Sequence, residues 1–350
     1  MNVRIASADM NRMMKVVNQC VDSLHENVEV IYDNGLLTVR GSNGMLSAVA
    51  STPMLGGDGE SFLCDGAMLT RVCAMCKGMI DLTADGKNVT VKGAGRTRIP
   101  VVSASVPAFQ HVRGKSVTVS GGALSRCWNR ISYAVSSNAA RVVLTGVMVK
   151  TDGTKMRMAA LDGFQLATDS AECSGDEMDA LIPGVFLKAV AGSVGTEDEV
   201  KITTDGTRVQ VTTDGLMMNC PLLHGEFPPY ESMVPQEFKV EALVKVGELA
   251  DAIKSGSVVQ NKTSTVKLEV GNGVITVRNN SEQADYEAEV ACESRGTVKI
   301  AFNEKYLLNA LNMVDAEDAV VKMNGPVNPC VVQGKDEDGI HLLLPVRVMG

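Results

Sequence analysis

Hydrophobic positions along the chain fall into a cycle that runs three times. Met10, Met13, Met14, Val17, Cys20 and Val21 recur at helical spacing, as do Leu124, Cys127, Trp128, Ile131, Ala134 and Val135, and more briefly Val246, Leu249, Ala250 and Ile253. Alternating apolar residues follow each stripe. Val28, Val30 and Tyr32 lead through Asp33-Asn34-Gly35 to Leu37 and Val39. Val147 and Val149 lead through Thr151-Asp152-Gly153 to Met156 and Met158, and Leu268 and Val270 through Gly271-Asn272-Gly273 to Ile275 and Val277. Alternation on both sides of an Asn-Gly or Asp-Gly turn predicts a β-hairpin.

Counting 34 residues on from each turn glycine reaches Leu69, Leu187 and Leu307, each inside a second helical stripe. These stripes are Leu69, Val72, Cys76; Leu187, Val190, Val194; and Leu307, Ala310, Leu311, Val314. Further turns follow at Asp85-Gly86, Asp205-Gly206 and Asn324-Gly325, and the copies close on Ile99-Pro100-Val101, Cys220-Pro221-Leu222 and Leu344-Pro345-Val346. Val106-Pro107-Ala108-Phe109 and Phe227-Pro228-Pro229-Tyr230 read as linkers. A repeat of about 120 residues therefore predicts three similar α+β domains, 1–117, 118–237 and 238–350, each with two helices and two four-stranded antiparallel sheets.

Composition narrows the function. The 350 residues carry 33 basic and 41 acidic side chains, a net charge of −8, which excludes a basic nucleic-acid coat. Apolar runs are too short for a membrane span, and Met1-Asn2-Val3-Arg4-Ile5 lacks the apolar core of a signal peptide, so a cytoplasmic protein that engages no membrane is expected. Nine cysteines are an odd number in a long chain, and Cys20, Cys73, Cys76, Cys127, Cys220 and Cys330 sit in apolar stretches, as buried free thiols do. Cys73-Ala74-Met75-Cys76 has no second pair to complete a metal site. His25, His111, His224 and His341 stand in no catalytic motif, and there is no phosphate-binding G-x-x-x-x-G-K-[ST] loop. The expectation is a protein without catalytic residues, metal or cofactor.

Charge gains meaning only when mapped onto the helices. On the faces turned away from the apolar stripes lie Arg12 and Lys15, Arg126 and Arg130, and Lys254, with Arg71, Lys77, Lys188 and Lys305 on the second helices. Acidic runs fall elsewhere, at Glu197-Asp198-Glu199, Asp315-Ala316-Glu317-Asp318 and Asp336-Glu337-Asp338. Helices sharing one orientation would present a positive surface for phosphates without base readout. Aromatic residues make up only 4% of the chain, too few for a stacking platform along a single strand, so a duplex backbone is the nucleic-acid partner these faces would suit. On charge alone, an ordinary solvated helix face is the favoured reading.

The repeat also carries familiar segments. Ala159-Ala160-Leu161-Asp162-Gly163-Phe164-Gln165-Leu166-Ala167 resembles the T-D-G-H-R-L-A segment of the bacterial sliding clamps, the DNA polymerase III beta subunit family. Val143-Leu144-Thr145-Gly146-Val147, Gly225-Glu226-Phe227-Pro228-Pro229-Tyr230, Phe302-Asn303-Glu304-Lys305-Tyr306-Leu307-Leu308 and the closing Leu344-Pro345-Val346-Arg347-Val348 match in the same order. Phe164-Gln165 stands where His-Arg or Tyr-Arg is common, and Ser232 where an arginine is frequent.

The resemblance implies a head-to-tail homodimer closing a ring of six domains around non-specific double-stranded DNA. It also implies a processivity role for a replicative DNA polymerase. A hydrophobic groove would dock polymerase, clamp loader and other proteins bearing a clamp-binding motif, formed by Leu144, Leu161, Gly163, Phe164, Leu166, Pro228, Met233, Asn303, Tyr306, Leu344, Pro345, Val346 and Arg347. The dimer joint would pair an edge strand holding Arg96, Arg98 and Ile99 with a strand holding Ser257 and Val258. A clamp-shaped scaffold that recruits repair or other partner proteins, without conferring processivity, is the alternative.

Overall fold

The computed structural model describes residues 1–350 except 55, 60, 94, 260–263 and 348–350. Ala94, in the glycine-rich turn after the first copy's second hairpin, and Val348, the last position of the C-terminal motif, lie outside the described residues.

Each apolar stripe forms a helix, α1 Ser7–Val17, α2 Gly66–Ala74, α3 Gly121–Ile131, α4 Gly184–Ala191, α5 Val246–Gly256 and α6 Glu304–Asn312, though Cys20, Val21, Cys76, Ala134, Val135, Val194 and Val314 lie beyond the helix ends. Their apolar faces meet in pairs, α1 against α2 and α5 against α6, while Ser125 Oγ of α3 donates to the carbonyl of Ala191 in α4. Every helix leaves directly from the end of a strand. Asp65 caps α2 by accepting from the Met68 amide (2.7 Å), and Asn303 caps α6 by accepting from the Tyr306 amide (3.3 Å). No described helix is long and apolar enough to cross a membrane.

The hairpins form at the predicted turns. Asn34 and Gly35 both take positive φ (48° and 81°), as do Asn272 and Gly273 (54° and 79°), the geometry whose twist matches two antiparallel strands.

The chain divides into two compact units, each assembled from separate stretches of sequence. The first comprises Met1–Ser125, Thr151–Thr154 and Glu172–Leu222, the second Arg126–Lys150, Lys155–Ala171 and Leu223–Gly350. In the first unit a five-stranded sheet runs Gly57–Asp58, Asn2–Ala6, Met79–Ala84, Asn88–Lys92, Arg96–Pro100, so the last strand is an open edge. Its nine-stranded sheet joins two sequence repeats where Leu216–Pro221 pairs antiparallel with Ser47–Pro53, Leu216 opposite Ala50. In the second unit the same device joins Gln165–Glu172 to Ile340–Leu343, Leu166 opposite Leu342. The expected four-stranded sheets are thus fused end to end. Apolar edge strands of neighbouring repeats satisfy each other's backbone groups instead of facing water.

Beneath the sheet of the second unit lies a continuous core that includes Leu249, Ile253, Leu268, Phe302, Leu307, Leu311, Val321 and Leu343. Cys20, Cys64, Cys73, Cys127, Cys220 and Cys330 are buried, whereas Cys76, Cys173 and Cys292 are partly exposed; all nine are free thiols. Burial pushes the thiols of Cys20, Cys64, Cys73 and Cys127 up to about 12, which keeps them protonated and inert. Among the described residues no cluster of His, Cys, Asp and Glu is arranged to hold a metal ion.

Candidate peptide groove and helix-face cations

All thirteen groove residues read from the sequence fall in the second unit. The groove is built on the turn between strands Lys155–Leu161 and Gln165–Glu172. Asp162 organises this turn: its carboxylate accepts from the amides of Phe164 (2.7 Å) and Gln165 (2.8 Å) and from Gln165 Nε2 (3.0 Å). Gly163 takes φ +99°, a conformation that favours glycine, and the tip of Arg141 lies beside it, 2.9 Å from where a Cβ would stand. With Gln165 pulled inward and buried, Phe164 is left 57% exposed.

Opposite it lies Tyr306 in the first turn of α6, its ring 6.1 Å from that of Phe164 and tilted by 27°. The C-terminal segment completes the site. The Leu344 amide donates to the Phe164 carbonyl (3.0 Å) and the Val346 amide to the Ala301 carbonyl (2.7 Å), so Leu344, 41% exposed, is held beside the aromatic pair by backbone bonds. Leu144, Leu161 and Leu166 are buried. Met233, 41% exposed, ends the short helical turn Tyr230–Met233, and Pro228 lies just before that turn. Pro345 is partly exposed and Arg347 exposed.

Two residues missed from the sequence belong with this surface. Arg141 approaches Gly163, and Val142 is exposed at the start of the turn Val142–Thr145. Both immediately precede the recognised Val143-Leu144 segment, but no hydrophobic period marks them, because they lie in an irregular turn.

The helix-face cations divide three ways. Lys15, Lys188 and Lys305 are exposed on their helices with no acidic partner among the described residues, and Arg71 is exposed on α2. Arg12, Lys254 and Arg126 are exposed but face carboxylates of Asp9 (3.9 Å), Asp251 (3.8 Å) and Asp169 (3.7 Å). Lys77 is exposed in the loop beyond Ala74, where α2 has already ended. Arg130 departs from expectation. It is 6% exposed, and its guanidinium is surrounded by Asp169 (3.8 Å), Asp315 (3.6 Å) and Glu337. Glu337 in turn accepts from the amides of Asp315 and Ala316. A buried charge held this way is a structural tie and offers nothing to a phosphate.

The two expected joint segments also differ in outcome. Arg96 and Arg98 are exposed on the open edge strand, but Ile99 points into the core opposite Val89. Ser257 and Val258 form no strand. They lie in the turn that ends α5, with Val258 84% exposed. The strand left half open is Asp285–Arg295: residues 285–291 pair with Val274–Asn280 on one side, and 292–295 with Val240–Lys245 on the other. Its open half carries Glu287 and Glu289.

Comparison with known proteins follows this geometry. Residues 118–229 match the family model of the DNA polymerase III beta subunit, central domain, and residues 231–347 that of its C-terminal domain. The beta sliding clamp of Pseudomonas aeruginosa is 26% identical over 295 residues, covering 79% of this chain and 80% of that protein. The beta sliding clamp of Streptomyces coelicolor is 23% identical over 340 residues, covering 91% and 90%. A crystal structure of the P. aeruginosa sliding clamp bound to griselimycin superposes with a TM-score of 0.94 at 22% identity, covering 99% of this chain and 100% of that one.

Proposed function

This chain belongs to the DNA polymerase III beta subunit family, the bacterial sliding clamps, and from that membership we propose that it works as a processivity factor. Three tandem domains, 1–117, 118–237 and 238–350, in each of two copies would close head to tail around duplex DNA in the cytoplasm. The chain would act as an accessory subunit of a DNA polymerase. Exposed Lys15, Arg71, Lys77, Lys188 and Lys305, with Arg12, Arg126 and Lys254 in second place, would touch phosphates. Phosphate contacts alone leave little sequence-dependent barrier to sliding, so retention depends on enclosure more than affinity.

The observation that carries the reading is the groove. Phe164, Tyr306 and Leu344 form an exposed apolar cluster on a frame fixed by backbone hydrogen bonds, inside the segments that match the family. Preordered apolar anchors of this kind suit an extended peptide from a replicative polymerase, a clamp loader or another partner. For the joint, the open edge Arg96–Pro100 with Arg96 and Arg98 suits the open half of Asp285–Arg295 with Glu287 and Glu289 in a second copy.

A scaffold that recruits partners without conferring processivity is the second reading. The ion pairs of Arg12 and Lys254 and the burial of Arg130 favour it, since they thin the positive charge on the helices. The deciding experiment loads the protein onto nicked circular DNA with a clamp loader and then linearises the circle at moderate salt. A processivity clamp is released on linearisation and stimulates its polymerase. Equal retention on circle and line would overturn the ring, and a ring without polymerase stimulation would favour the scaffold.

A further inference from the structure

A second cavity, of about 580 Å3, opens on the solvent face of strands Thr265–Gly271, Val274–Asn280 and Val298–Asn303. Lys267, Arg278, Lys299 and Arg347 line it around the one carboxylate of Glu269, with exposed Val327 on its apolar side. Glu269 is bound by both Arg278 (2.9 Å) and Lys299 (2.9 Å), and Glu287 holds Arg278 from outside the cavity (2.7 Å). Lys267 reaches only the Asn280 side-chain oxygen (3.5 Å), and Arg347 has no acidic partner among the described residues. A chain of net charge −8 thus gathers a local positive excess around an apolar hollow.

This cavity is continuous with the groove along one stretch of chain. Leu344 is bonded to Phe164, Val346 to Ala301, and the next residue, Arg347, lines the cavity. A peptide lying beside residues 344–347 would pass from the aromatic pair to the cations in about three residues, on the order of 10 Å.

We propose that this cavity is the far end of the docking groove and selects partner peptides that carry acidic residues beside their apolar anchors. The inference rests on the reading of the groove as a peptide site. The guanidinium of Arg347 can take a carboxylate in a forked pair, while Lys267 and Lys299 add point charges for neighbouring carboxylates. Each exposed ion pair of this kind is worth a factor of about 1.5 to 5 at low salt, so the effect is on selectivity, on top of the apolar anchors.

Fluorescence anisotropy on the full-length protein tests this with synthetic peptides sharing one core of leucine and phenylalanine. The core is extended on either its N-terminal or its C-terminal side by three aspartates, three serines or three lysines. At low salt the aspartate peptide should bind about fivefold more tightly than the serine peptide, from one end only, and the gap should close at high salt. The double variant Lys267→Ser/Lys299→Ser should lose that preference and leave the serine peptide's affinity unchanged, whereas Phe164→Ala should weaken all peptides together. Equal binding of aspartate and serine peptides would overturn the cavity's role and leave the groove intact. Failure of every peptide would overturn the groove reading itself. Displacement of the aspartate peptide by a short single-stranded oligonucleotide, with the serine peptide undisturbed, would assign the cavity to nucleic-acid phosphates and overturn the proposal.

Discussion

At the scale of single residues, two buried charge centres invite direct measurement. Arg130 is enclosed with Asp169, whose side chain is only 3% exposed. Removing the guanidinium leaves that carboxylate buried and short of a partner, so Arg130→Ala should cost about 3–5 kcal/mol in denaturant unfolding. Arg12→Ala, at an exposed pair, should cost less than about 1 kcal/mol. Equal and small losses would mean that Arg130 is a solvated helix-face cation after all. His341 is the other case. Fully buried, with Tyr133 Oη 3.0 Å from its Nδ1, it is pushed down from 6.5 to about 3 by burial and by the charge of Arg130. The unfolded chain takes up a proton below pH 6.5 that the folded state refuses. This contribution is therefore complete above pH 6.5 and drains as pH falls towards 3, by up to about 1.4 kcal/mol per pH unit. Stability measured from pH 7 to pH 4 should lose about one proton's worth of slope in His341→Gln, and an unchanged slope would remove His341 from the account.

At the scale of elements, the link between helix start and groove is testable. Asn303 caps α6, and Tyr306, whose amide it accepts, is the groove's second aromatic ring. Asn303→Ala should cost about 1 kcal/mol and weaken peptide binding by loosening the first turn of the helix. Asn303→Ser, which restores an oxygen acceptor, should recover both stability and affinity. Recovery of stability alone would mean that the amide itself touches the peptide. The helices and hairpins were legible because each has a period: 3.6 for α1 to α6, and 2 on either side of Asn34-Gly35 and Asn272-Gly273. The turn that ends α5 was not. Ser257-Val258-Val259 is apolar and short, and such a run reads equally as a strand or as a helix end until its neighbours are known.

For the whole molecule, the proposed ring depends on charge meeting across two copies. Arg98→Glu should lower the fraction of dimer at micromolar concentration, and a second change, Glu289→Lys, should restore part of it. Particle mass against concentration reads this directly. Loss of dimer with no recovery in the double variant would move the joint away from the open half of Asp285–Arg295. Salt dependence belongs to this scale too. With several helix cations already paired, the binding of short linear duplex should weaken only shallowly with added salt, in a titration from low to moderate ionic strength. A steep slope would mean that many more phosphates are neutralised than the exposed lysines and arginines allow.

The helix and hairpin positions and the burial of most of the cysteines followed from the sequence alone, because each depends on local periodicity or on a short apolar segment, whereas the proposed groove residues were named from contiguous segments that resemble a family. Tertiary structure decided what those residues are free to do. Nothing local distinguishes Arg126 from Arg130, one helical turn apart on α3, yet one side chain stays half exposed beside Asp169 and the other is enclosed by acids from residues 169, 315 and 337. Leu166 and Leu344 are equally apolar, and only the pairing of Leu166 with Leu342 buries one while the backbone bond from Leu344 to Phe164 holds the other open. Periodicity sets which side of an element is apolar. Which polar or apolar side chain remains in water depends on what distant chain packs against it, and that information lies in contacts across hundreds of residues.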